Sequence, residues 1–226
     1  MSTSFWKYTD IKMLKILYSY IDKSKHNFFF KEKLVEMPLD FQQRVSRYKK
    51  WENVQASIIG RLLLDNLIKT FDLNLSIEKL VYNSNQKPYF KNTNIFFTIS
   101  HTDDIVVCAI TDINEIGIDI EKLQDININN FNFFFTTHEW EFIHNSQNAM
   151  HSFISLWTQK ESVIKATGYG LSLDLGSFEI GDDNTTVINS TIYSVKDIYI
   201  NQKYKCHMAI KGDFLQTVEI ELFNFP

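Results

Sequence analysis

The distribution of hydrophobic and polar positions divides the chain into alternating helical and strand-like stretches. The first stretch, to about residue 70, is predicted mostly as helix. Apolar residues recur at helical spacing most clearly in NVQASIIGRLLLDNLIKTF, residues 53–71. Strand-like segments follow at 80–82, 95–100, 105–111 and 116–122. The turns HTDD and DINE, which join the last three of these segments, are typical of hairpin connections.

Helical periodicity returns at about residue 136. FTTHEWEFI offers a Thr N-cap followed by acidic residues, and HSFISLWTQKESVIKATGYG ends in a Gly-Tyr-Gly helix stop. After it the pattern is again that of strands, in FEI, TIYSV, YIN, YKCHMAI and TVEIELF. This order, with the echo of VVCAI in CHMAI, is compatible with two similar α+β halves that meet near residue 115.

Composition places the chain among ordinary globular proteins. It has 226 residues, a net charge of −4 and 44% hydrophobic residues, enough for a substantial core. The charge balance gives no support to nucleic-acid binding, and no apolar run is long enough to span a bilayer. We expect no secretory leader in residues 1–22. Cys108 and Cys206 need not pair, so a reducing cytoplasm is the simpler location.

Two carboxylates stand in the isoleucine-rich segment IGIDIEK, residues 116–122. Because strand side chains alternate, the isoleucines share a core face, and Gly117, Asp119 and Glu121 share the other. Two ionised carboxylates ~6 Å apart repel by roughly 3 kcal/mol at an effective dielectric of about 20. Solvent, a basic side chain, a shared proton or a metal must offset this, and Gly117 leaves room for a ligand. A solvated edge strand with two harmless acids is the alternative.

The helix at 153–168 adds charged groups. Lys160 falls within its apolar arc, whereas Glu161 and Lys165 lie along the edge of that arc, four residues apart. A lysine directed at a core must reach solvent or meet an anion. Beside the carboxylate strand, this helix would suit a phosphate ligand held through a divalent metal such as Mg²⁺. The alternative for Glu161 and Lys165 is an ordinary surface pair.

Two further segments allow two interpretations each. His101 ends the strand ISH and could bind phosphate or act as a base, although a lone histidine is more often structural. The phenylalanines of ININNFNFFF, residues 126–135, are interpreted as packed in the interior, with an exposed partner-binding loop as the alternative.

Four motifs in order resemble those of the Sfp-type 4′-phosphopantetheinyl transferases. They are KPYF at 87–90, ISH at 99–101, IGIDIEK at 116–122 and LWTQKESVIKATGYGL at 156–171. The hallmark of that family is G-[IV]-D-[IV]-E followed, some forty residues on, by W-x-x-K-E-x-x-x-K. Both halves of this hallmark occur here unbroken and at the expected separation.

The resemblance implies an α+β chain with a pseudo-twofold two-subdomain fold, each half a small antiparallel sheet packed on helices. The N-terminal half would comprise residues 1–114, and the C-terminal half, residues 115–226, would carry the metal-binding motifs. The active site would lie in the cleft between them. The implied enzyme is a cytoplasmic monomer that transfers 4′-phosphopantetheine from coenzyme A to a serine of an apo acyl or peptidyl carrier protein. The reaction would need Mg²⁺ and release adenosine 3′,5′-bisphosphate.

The resemblance also implies roles for single residues. Three carboxylates would hold Mg²⁺, and one of these would be the general base, with a lysine and a histidine as further catalytic groups. The metal ligands would be Asp119, Glu121 and Glu161, and the catalytic residues Glu161, Lys165 and His101. Coenzyme A would contact Arg44, Arg47, Ser57, Lys87, Ser100, His101, Lys160 and Lys165, with Lys87 near the adenosine and Lys160 paired inside the cleft.

The N-terminal portion departs from the family pattern at two positions. A helix arginine that would bind the 3′-phosphate of coenzyme A is replaced by Ala56, and an early basic residue by Phe41. Either the 3′-phosphate is held less tightly, or Arg61 or Lys50 takes over.

Three matters stay open at this point. A non-catalytic coenzyme A or nucleotide-binding module of the same fold is the main alternative, and a Mg²⁺-dependent phosphohydrolase is another. The carrier is not identified among those of fatty-acid, polyketide, nonribosomal-peptide and lysine biosynthesis, although residues 124–145 could contribute to its docking. The metal could be Mn²⁺ as well as Mg²⁺.

Overall fold

The computed structural model describes residues 13–213 and 217–226. Most of the segment expected to lack a secretory leader, residues 1–12, lies outside the described residues. The strands are β1 (Leu14–Tyr20), β2 (Leu80–Tyr82), β3 (Pro88–Phe90), β4 (Phe96–His101), β5 (Ile105–Thr111), β6 (Ile116–Lys122), β7 (Thr185–Ile188), β8 (Thr191–Asp197), β9 (Tyr204–Lys211) and β10 (Glu219–Leu222).

The helices are α1 (His26–Phe28), α2 (Leu39–Val45), α3 (Trp51–Thr70), α4 (Thr137–Asn145) and α5 (Ala149–Thr167). α1 continues into a π-helical turn, Phe29–Lys33, and a 3₁₀ turn, Leu34–Glu36. Further 3₁₀ turns lie at Lys23–Lys25, Ile77–Lys79, Ile128–Phe134, Gly170–Ser172 and Leu175–Ser177. The fold class is α+β, with small sheets packed on helices.

The first sheet has the strand order β10–β1–β5–β4. β1 runs antiparallel to β5, with Leu14 opposite Thr111, and parallel to β10. The prediction of helix from the start of the chain was therefore wrong for residues 14–20. The segment LKILYSY mixes apolar and polar positions without a clear period, and its pairing with β5 decides its conformation.

The second sheet has the order β6–β9–β8–β7 and is antiparallel throughout. Its connectivity repeats that of the first sheet. In each half a strand is followed by a long helix and then by a hairpin, and the last strand of the hairpin pairs with the strand that precedes the helix. The series are β1–α3–β4–β5 in the first half and β6–α5–β8–β9 in the second. VVCAI lies on β5 and CHMAI on β9, so the sequence echo falls on topologically equivalent strands.

The two predicted turns have different roles. HTDD joins β4 to β5 as a hairpin, with His101 opposite Val106. DINE does not form a hairpin, because β6 leaves the first sheet and pairs with β9. The FEI and YIN segments are not strands, whereas β7 was missed.

The two sheets pack face to face between α3 and α5. Alternate residues of β5 face α3 and the second sheet, so the whole strand is buried. The isoleucines of β6 pack in the cluster between the sheets, as predicted, and the opposite face of β6 is turned toward α5. The fold therefore delivers Asp119 and Glu121 to the side on which Glu161 and Lys165 lie.

Three observations bear on the other expectations. β10, near the C-terminal end of the sequence, pairs with β1 in the first sheet. A boundary at residue 115 therefore separates the motifs of the two halves but not their sheets, and we propose it for the motifs alone. Within the described ranges no helix is long and apolar enough to cross a membrane. Cys108 and Cys206 are both buried and free.

Candidate active site

Gly117 sets the distance between β6 and α5. A Cβ atom at this position would lie 2.0 Å from the carbonyl oxygen of Ser162 and 2.3 Å from the amide nitrogen of Ala166. The expectation that Gly117 leaves room for a ligand is therefore wrong, because the backbone of α5 fills that room. Glycine is needed here for close approach of two backbones.

Asp119 is the centre of a buried polar contact that ties β4, β6 and α5 together. Its side chain is only 6% exposed. Oδ1 accepts hydrogen bonds from Ser100 Oγ at 2.9 Å and Lys165 Nζ at 2.6 Å, and Lys165 Nζ also donates to Ser100 Oγ at 2.7 Å. Asp119 Oδ2 is buried without a hydrogen-bond partner. An unpartnered buried carboxylate oxygen is costly unless something binds it.

The pKa values of Glu121 and Glu161 are shifted by the same two causes, burial and the charge of Asp119. Burial raises the pKa of Glu121 to about 7, and the charge of Asp119 adds to the shift. Burial, followed by the charge of Asp119, also raises the pKa of Glu161, whereas Lys165 lowers it. The three motif carboxylates are thus brought together as an interacting set, with Lys165 as a shared counter-ion.

The donor set suits a hard divalent cation, which prefers carboxylate oxygens. The unpartnered Asp119 Oδ2 and the raised pKa of Glu121 are both relieved by a positive charge at this place. In the described part of the chain, however, no three His, Cys, Asp or Glu side chains are already arranged to hold an ion. Metal binding would therefore require side-chain movement.

The raised pKa of Glu121 predicts how stability of the metal-free chain depends on pH. Between its ordinary pKa and about 7, the folded chain keeps a proton that the unfolded chain has lost, so this stabilisation is lost as pH rises through 7. We expect about 2 kcal/mol of unfolding free energy to disappear between pH 5 and 7.5 in EDTA. Urea unfolding at both pH values measures this. Glu121→Gln should have a flatter pH dependence, and an equal slope in both chains would contradict the assignment.

A pocket of about 880 Å³ opens beside this cluster and is lined by residues of both halves. Six of the predicted site residues line it: Arg44, Ser57, Lys87, His101, Glu161 and Lys165. Ser100 and Asp119 are joined to it through Lys165. Arg47 is exposed and is not part of the lining. Burial and the charge of Lys165 lower the pKa of His101, which favours a neutral imidazole near pH 7.

Lys87 holds the C-terminal end of α5. Its Nζ donates to the carbonyl oxygens of Ile116 at 3.2 Å and of Lys165, and burial lowers its pKa to about 8. The side-chain amides of Asn83 and Asn85 donate to the carbonyl oxygen of Gly168 at 3.2 and 3.0 Å. The β2–β3 turn therefore caps α5 from the other half. Sequence reasoning missed both asparagines, which read as ordinary turn residues.

Lys160 does not lie in the pocket, so its predicted contact with coenzyme A needs correction. The side chain is fully buried and forms an ion pair with Glu139, while Nζ donates to the carbonyl oxygen of Phe178 at 2.6 Å. Glu139 also completes a capping box with Thr136 at the start of α4. Lys160 thus anchors the segments that carry the pocket wall, as a cation directed at the core must find an anion.

Breaking this pair should be costly. Lys160→Met leaves the buried Glu139 carboxylate without its cation, and we expect a loss of about 3 kcal/mol in unfolding free energy. Adding Glu139→Gln should recover part of that loss, because no buried charge then remains. Lys69→Met, which breaks an exposed pair with Asp65, should cost under about 0.5 kcal/mol. Equal losses for the Lys69 and Lys160 variants in urea unfolding would contradict this reading.

Two arginines share two aromatic rings at the pocket. The guanidinium groups of Arg44 and Arg61 lie 5.0–5.9 Å from the ring centroids of Phe41 and Tyr82. Arg61 is 7% exposed; its Nη2 donates to Tyr82 Oη at 2.6 Å, but its Nη1 is buried without a partner. Phe41, which departs from the family pattern, is thus the platform on which both cations pack.

The phenylalanine-rich segment is mostly packed, as predicted. Phe131, Phe134 and Phe135 pack in an aromatic cluster around Trp157. Phe133 is the exception, since it is 65% exposed and lines the pocket.

Fold and site together define a class of protein: an α+β chain of two topologically similar halves, with an acidic cluster and a lysine at a pocket between them. Comparison with known families makes the assignment specific. The family model of the 4′-phosphopantetheinyl transferase superfamily matches residues 115–214, and that of the 4′-phosphopantetheinyl transferase N-terminal region matches residues 23–112. The chain belongs to the 4′-phosphopantetheinyl transferase superfamily.

Curated relatives agree with this assignment. The chain is 36% identical over 151 residues to 4′-phosphopantetheinyl transferase gsp of Aneurinibacillus migulanus, covering 65% of this chain and 62% of that protein. It is 31% identical over 143 residues to 4′-phosphopantetheinyl transferase Sfp of Bacillus subtilis (strain 168), covering 62% and 63%. It is 26% identical over 185 residues to L-aminoadipate-semialdehyde dehydrogenase-phosphopantetheinyl transferase of Xenopus laevis, covering 72% and 59%. The matches thus span about three-fifths of each relative's length.

Proposed function

We propose that the chain transfers the 4′-phosphopantetheine group of coenzyme A to a serine of an apo carrier protein, with release of adenosine 3′,5′-bisphosphate. The observation that carries the proposal is the contact of Lys165 with Asp119, beside Glu121 and Glu161, at a pocket that Glu161 and Lys165 line. Membership of the superfamily supports the reaction type.

The carboxylates of Asp119, Glu121 and Glu161 fit a Mg²⁺ ion, and Mn²⁺ has the same preference for oxygen ligands. When bound, the ion would supply positive charge at the pyrophosphate and lower the cost of charge that develops there. Its removal by EDTA is expected to stop the reaction.

The chain's own residues account for the rest of the chemistry. The serine oxygen attacks the β-phosphorus of coenzyme A, the bond from that phosphorus to the bridging pyrophosphate oxygen breaks, and Glu161 accepts the serine proton. A raised pKa suits Glu161 to this task, because a base is most effective when its pKa approaches the working pH. Lys165 and His101 are placed on the pocket wall to bind phosphate oxygens.

Arg44 and Arg61 are the residues we assign to the 3′-phosphate. Among the described residues neither forms an ion pair, and burial, with the charge of Arg44 adding to it, lowers the pKa of Arg61. The charge of Asp40 acts on Arg61 without forming an ion pair, and two cations on shared rings with no acid in direct contact are suited to a phosphate dianion. Ala56 and Ser57 line the same pocket as the two arginines. Arg47 and Lys50, both exposed and outside the lining, are left out of this assignment.

This assignment predicts the effect of Arg61→Met, in which an apolar stem can still pack between the rings. The KM for coenzyme A should rise about 10–100-fold, because a charge-assisted contact worth about 1.5–3 kcal/mol is lost. The KM for 3′-dephospho-coenzyme A, which has no 3′-phosphate, should change by less than about threefold. Steady-state assays with both substrates decide this, and equal changes for the two would assign Arg61 to packing alone.

The function is tested by intact-mass analysis of apo carrier proteins incubated with the chain, coenzyme A and Mg²⁺. A gain of one phosphopantetheine group, absent with EDTA or with an acceptor Ser→Ala variant, is the expected result. Coenzyme A binding without transfer to any of several carrier types would favour the non-catalytic binding module. Breakdown of coenzyme A without a carrier would favour the phosphohydrolase.

Several properties accompany this proposal. Carriers of fatty-acid, polyketide, nonribosomal-peptide and lysine biosynthesis are all candidate acceptors, and the same assay ranks them. Residues 124–145, which include the exposed Phe133, are proposed as part of the docking surface. A monomeric state is proposed because both halves of the site come from one chain. A cytoplasmic location is proposed from the two buried, free cysteines.

A further inference from the structure

Lys165 forms an ion pair with Asp119, a carboxylate that we assign to the metal. Its Nζ lies 2.6 Å from Asp119 Oδ1 and 2.7 Å from Ser100 Oγ, and the side chain is 30% exposed, whereas that of Asp119 is 6% exposed. The lysine also lines the pocket. It can therefore swing from Asp119 toward the pocket, while Asp119 has no such freedom.

Lys165 is also the cation on which the acidic cluster depends. Its charge lowers the pKa of both Glu121 and Glu161, opposing the charge of Asp119. Three neighbouring lysines are engaged elsewhere, and Lys205 lies opposite Glu121 on β9. Lys87 binds backbone carbonyls, Lys122 pairs with Asp104 and Lys160 pairs with Glu139. Asp119 Oδ2 has no partner, so the cluster has room for a second positive charge.

We propose that Lys165 is a placeholder counter-ion, which neutralises Asp119 in the metal-free chain and is displaced toward the pocket when a divalent cation binds. This inference rests on the proposed function. An ammonium group and a divalent ion repel each other strongly on one buried carboxylate, so the two compete for Asp119. Phosphate oxygens in the pocket offer the released ammonium group a new partner.

Coupling between metal and coenzyme A follows from this competition. A pyrophosphate that attracts Lys165 away from Asp119 raises the affinity for the metal, and by linkage the metal raises the affinity for the pyrophosphate by the same factor. The free site therefore binds metal weakly, and the site loaded with coenzyme A binds it well. The chain avoids a tightly held metal ion before its substrate is present.

The test is Mn²⁺ affinity measured by EPR, with and without coenzyme A, for the native chain and for Lys165→Met, which keeps most of the length of the side chain and removes its charge. Without coenzyme A, the variant should bind Mn²⁺ at least about tenfold more tightly than the native chain, because the competing cation is gone. Coenzyme A should raise the affinity of the native chain more than that of the variant. Lys122→Met, a loss of the same charge on β6, the strand that carries Asp119 and Glu121, should change the affinity by less than about twofold.

The outcomes separate the two proposals. If Lys165→Met binds Mn²⁺ no more tightly than the native chain, while Asp119→Asn loses binding, the placeholder role is wrong and the metal site stands. If the native chain binds no Mn²⁺ even with coenzyme A, the metal site itself is wrong. The placeholder role of Lys165 and the metal dependence of the proposed function then both fail.

Chemical modification of the native chain gives an independent readout. Reductive methylation followed by peptide mass spectrometry should label Lys165 slowly in the free chain, faster with Mg²⁺ alone, and slowly again with Mg²⁺ and coenzyme A. Lys69 in the same sample serves as the reference, since its exposed pair with Asp65 lies outside the pocket lining. A labelling rate of Lys165 that ignores Mg²⁺ would overturn the inference.

Discussion

Replacing Asp119 by asparagine is expected to lower the rate of phosphopantetheine transfer at least about a thousandfold while the chain stays folded. The substitution keeps the shape of the side chain, and the amide oxygen can still accept hydrogen bonds from Ser100 and Lys165. The amide nitrogen, however, takes the place of the unpartnered Oδ2 and presents a donor where a metal needs an oxygen.

The cost in stability should be small by comparison. Lys165, partly exposed at the pocket, can turn toward solvent when its carboxylate is lost, so we expect about 1 kcal/mol in unfolding free energy. Intact-mass kinetics and urea unfolding on the same preparation separate the two effects. Asp104→Asn, which removes an acid paired with Lys122 near the surface, is the matched control and should leave transfer within about threefold. Near-normal turnover of the Asp119 variant with saturating Mg²⁺ would refute the assignment.

The residues of the acidic cluster were predictable because a strand and a helix have fixed side-chain periods. The alternation of IGIDIEK placed Asp119 and Glu121 on one face, and the spacing of Glu161 and Lys165 placed both on one edge of the helix. Periodicity could not predict which side chain each lysine would contact. Lys165 contacts Asp119 and Ser100, and Lys160 contacts Glu139, and the partners are 21–65 residues apart in the chain.

In the first sheet, β1 is the strand that the sequence predicted wrongly. β1 has only seven residues and pairs with β5, about ninety residues further on, so local propensity carries little information about it. The crossing from β5 to β6 was mistaken for a hairpin for a related reason. Turn residues such as those of DINE mark a change of direction but do not name the next partner strand.

The arginine cluster shows how a family pattern can mislead at single positions. At positions 56 and 41 the family pattern has basic residues, so Ala56 and Phe41 suggest by sequence alone that two phosphate-binding charges are missing. In the fold, Arg61 lies five residues further along α3, and Phe41 packs against both guanidinium groups. Tyr82, from a different hairpin, completes the arrangement. We propose that Arg61 of the same helix, with Arg44 and Tyr82 from two other elements, offsets the missing basic residue at position 56.

Gly117→Ala is expected to destabilise the chain by about 3 kcal/mol or more, although alanine is ordinarily the better strand residue. The new methyl group would meet Ser162 O at 2.0 Å, Ala166 N at 2.3 Å and the Lys165 carbonyl carbon at 2.8 Å. These are backbone atoms of α5, so no side-chain rotation relieves the clash and the helix must move away from β6. That movement draws Glu161 and Lys165 away from Asp119, so Mn²⁺ affinity with coenzyme A should fall as well.

Gly60→Ala is the matched control for this prediction. Its methyl group would lie 2.9 Å from Ile99 Cγ2, a side-chain methyl of a β-branched residue rather than a backbone atom, and the contact offsets part of the about 1 kcal/mol that a helix interior gains from alanine over glycine. The net change in unfolding free energy should therefore stay within about 1 kcal/mol. Urea unfolding of both variants, with Mn²⁺ titration of the folded fraction, provides the comparison. If Gly117→Ala were as stable as Gly60→Ala and kept its metal affinity, close packing of α5 on β6 could not be what assembles the site.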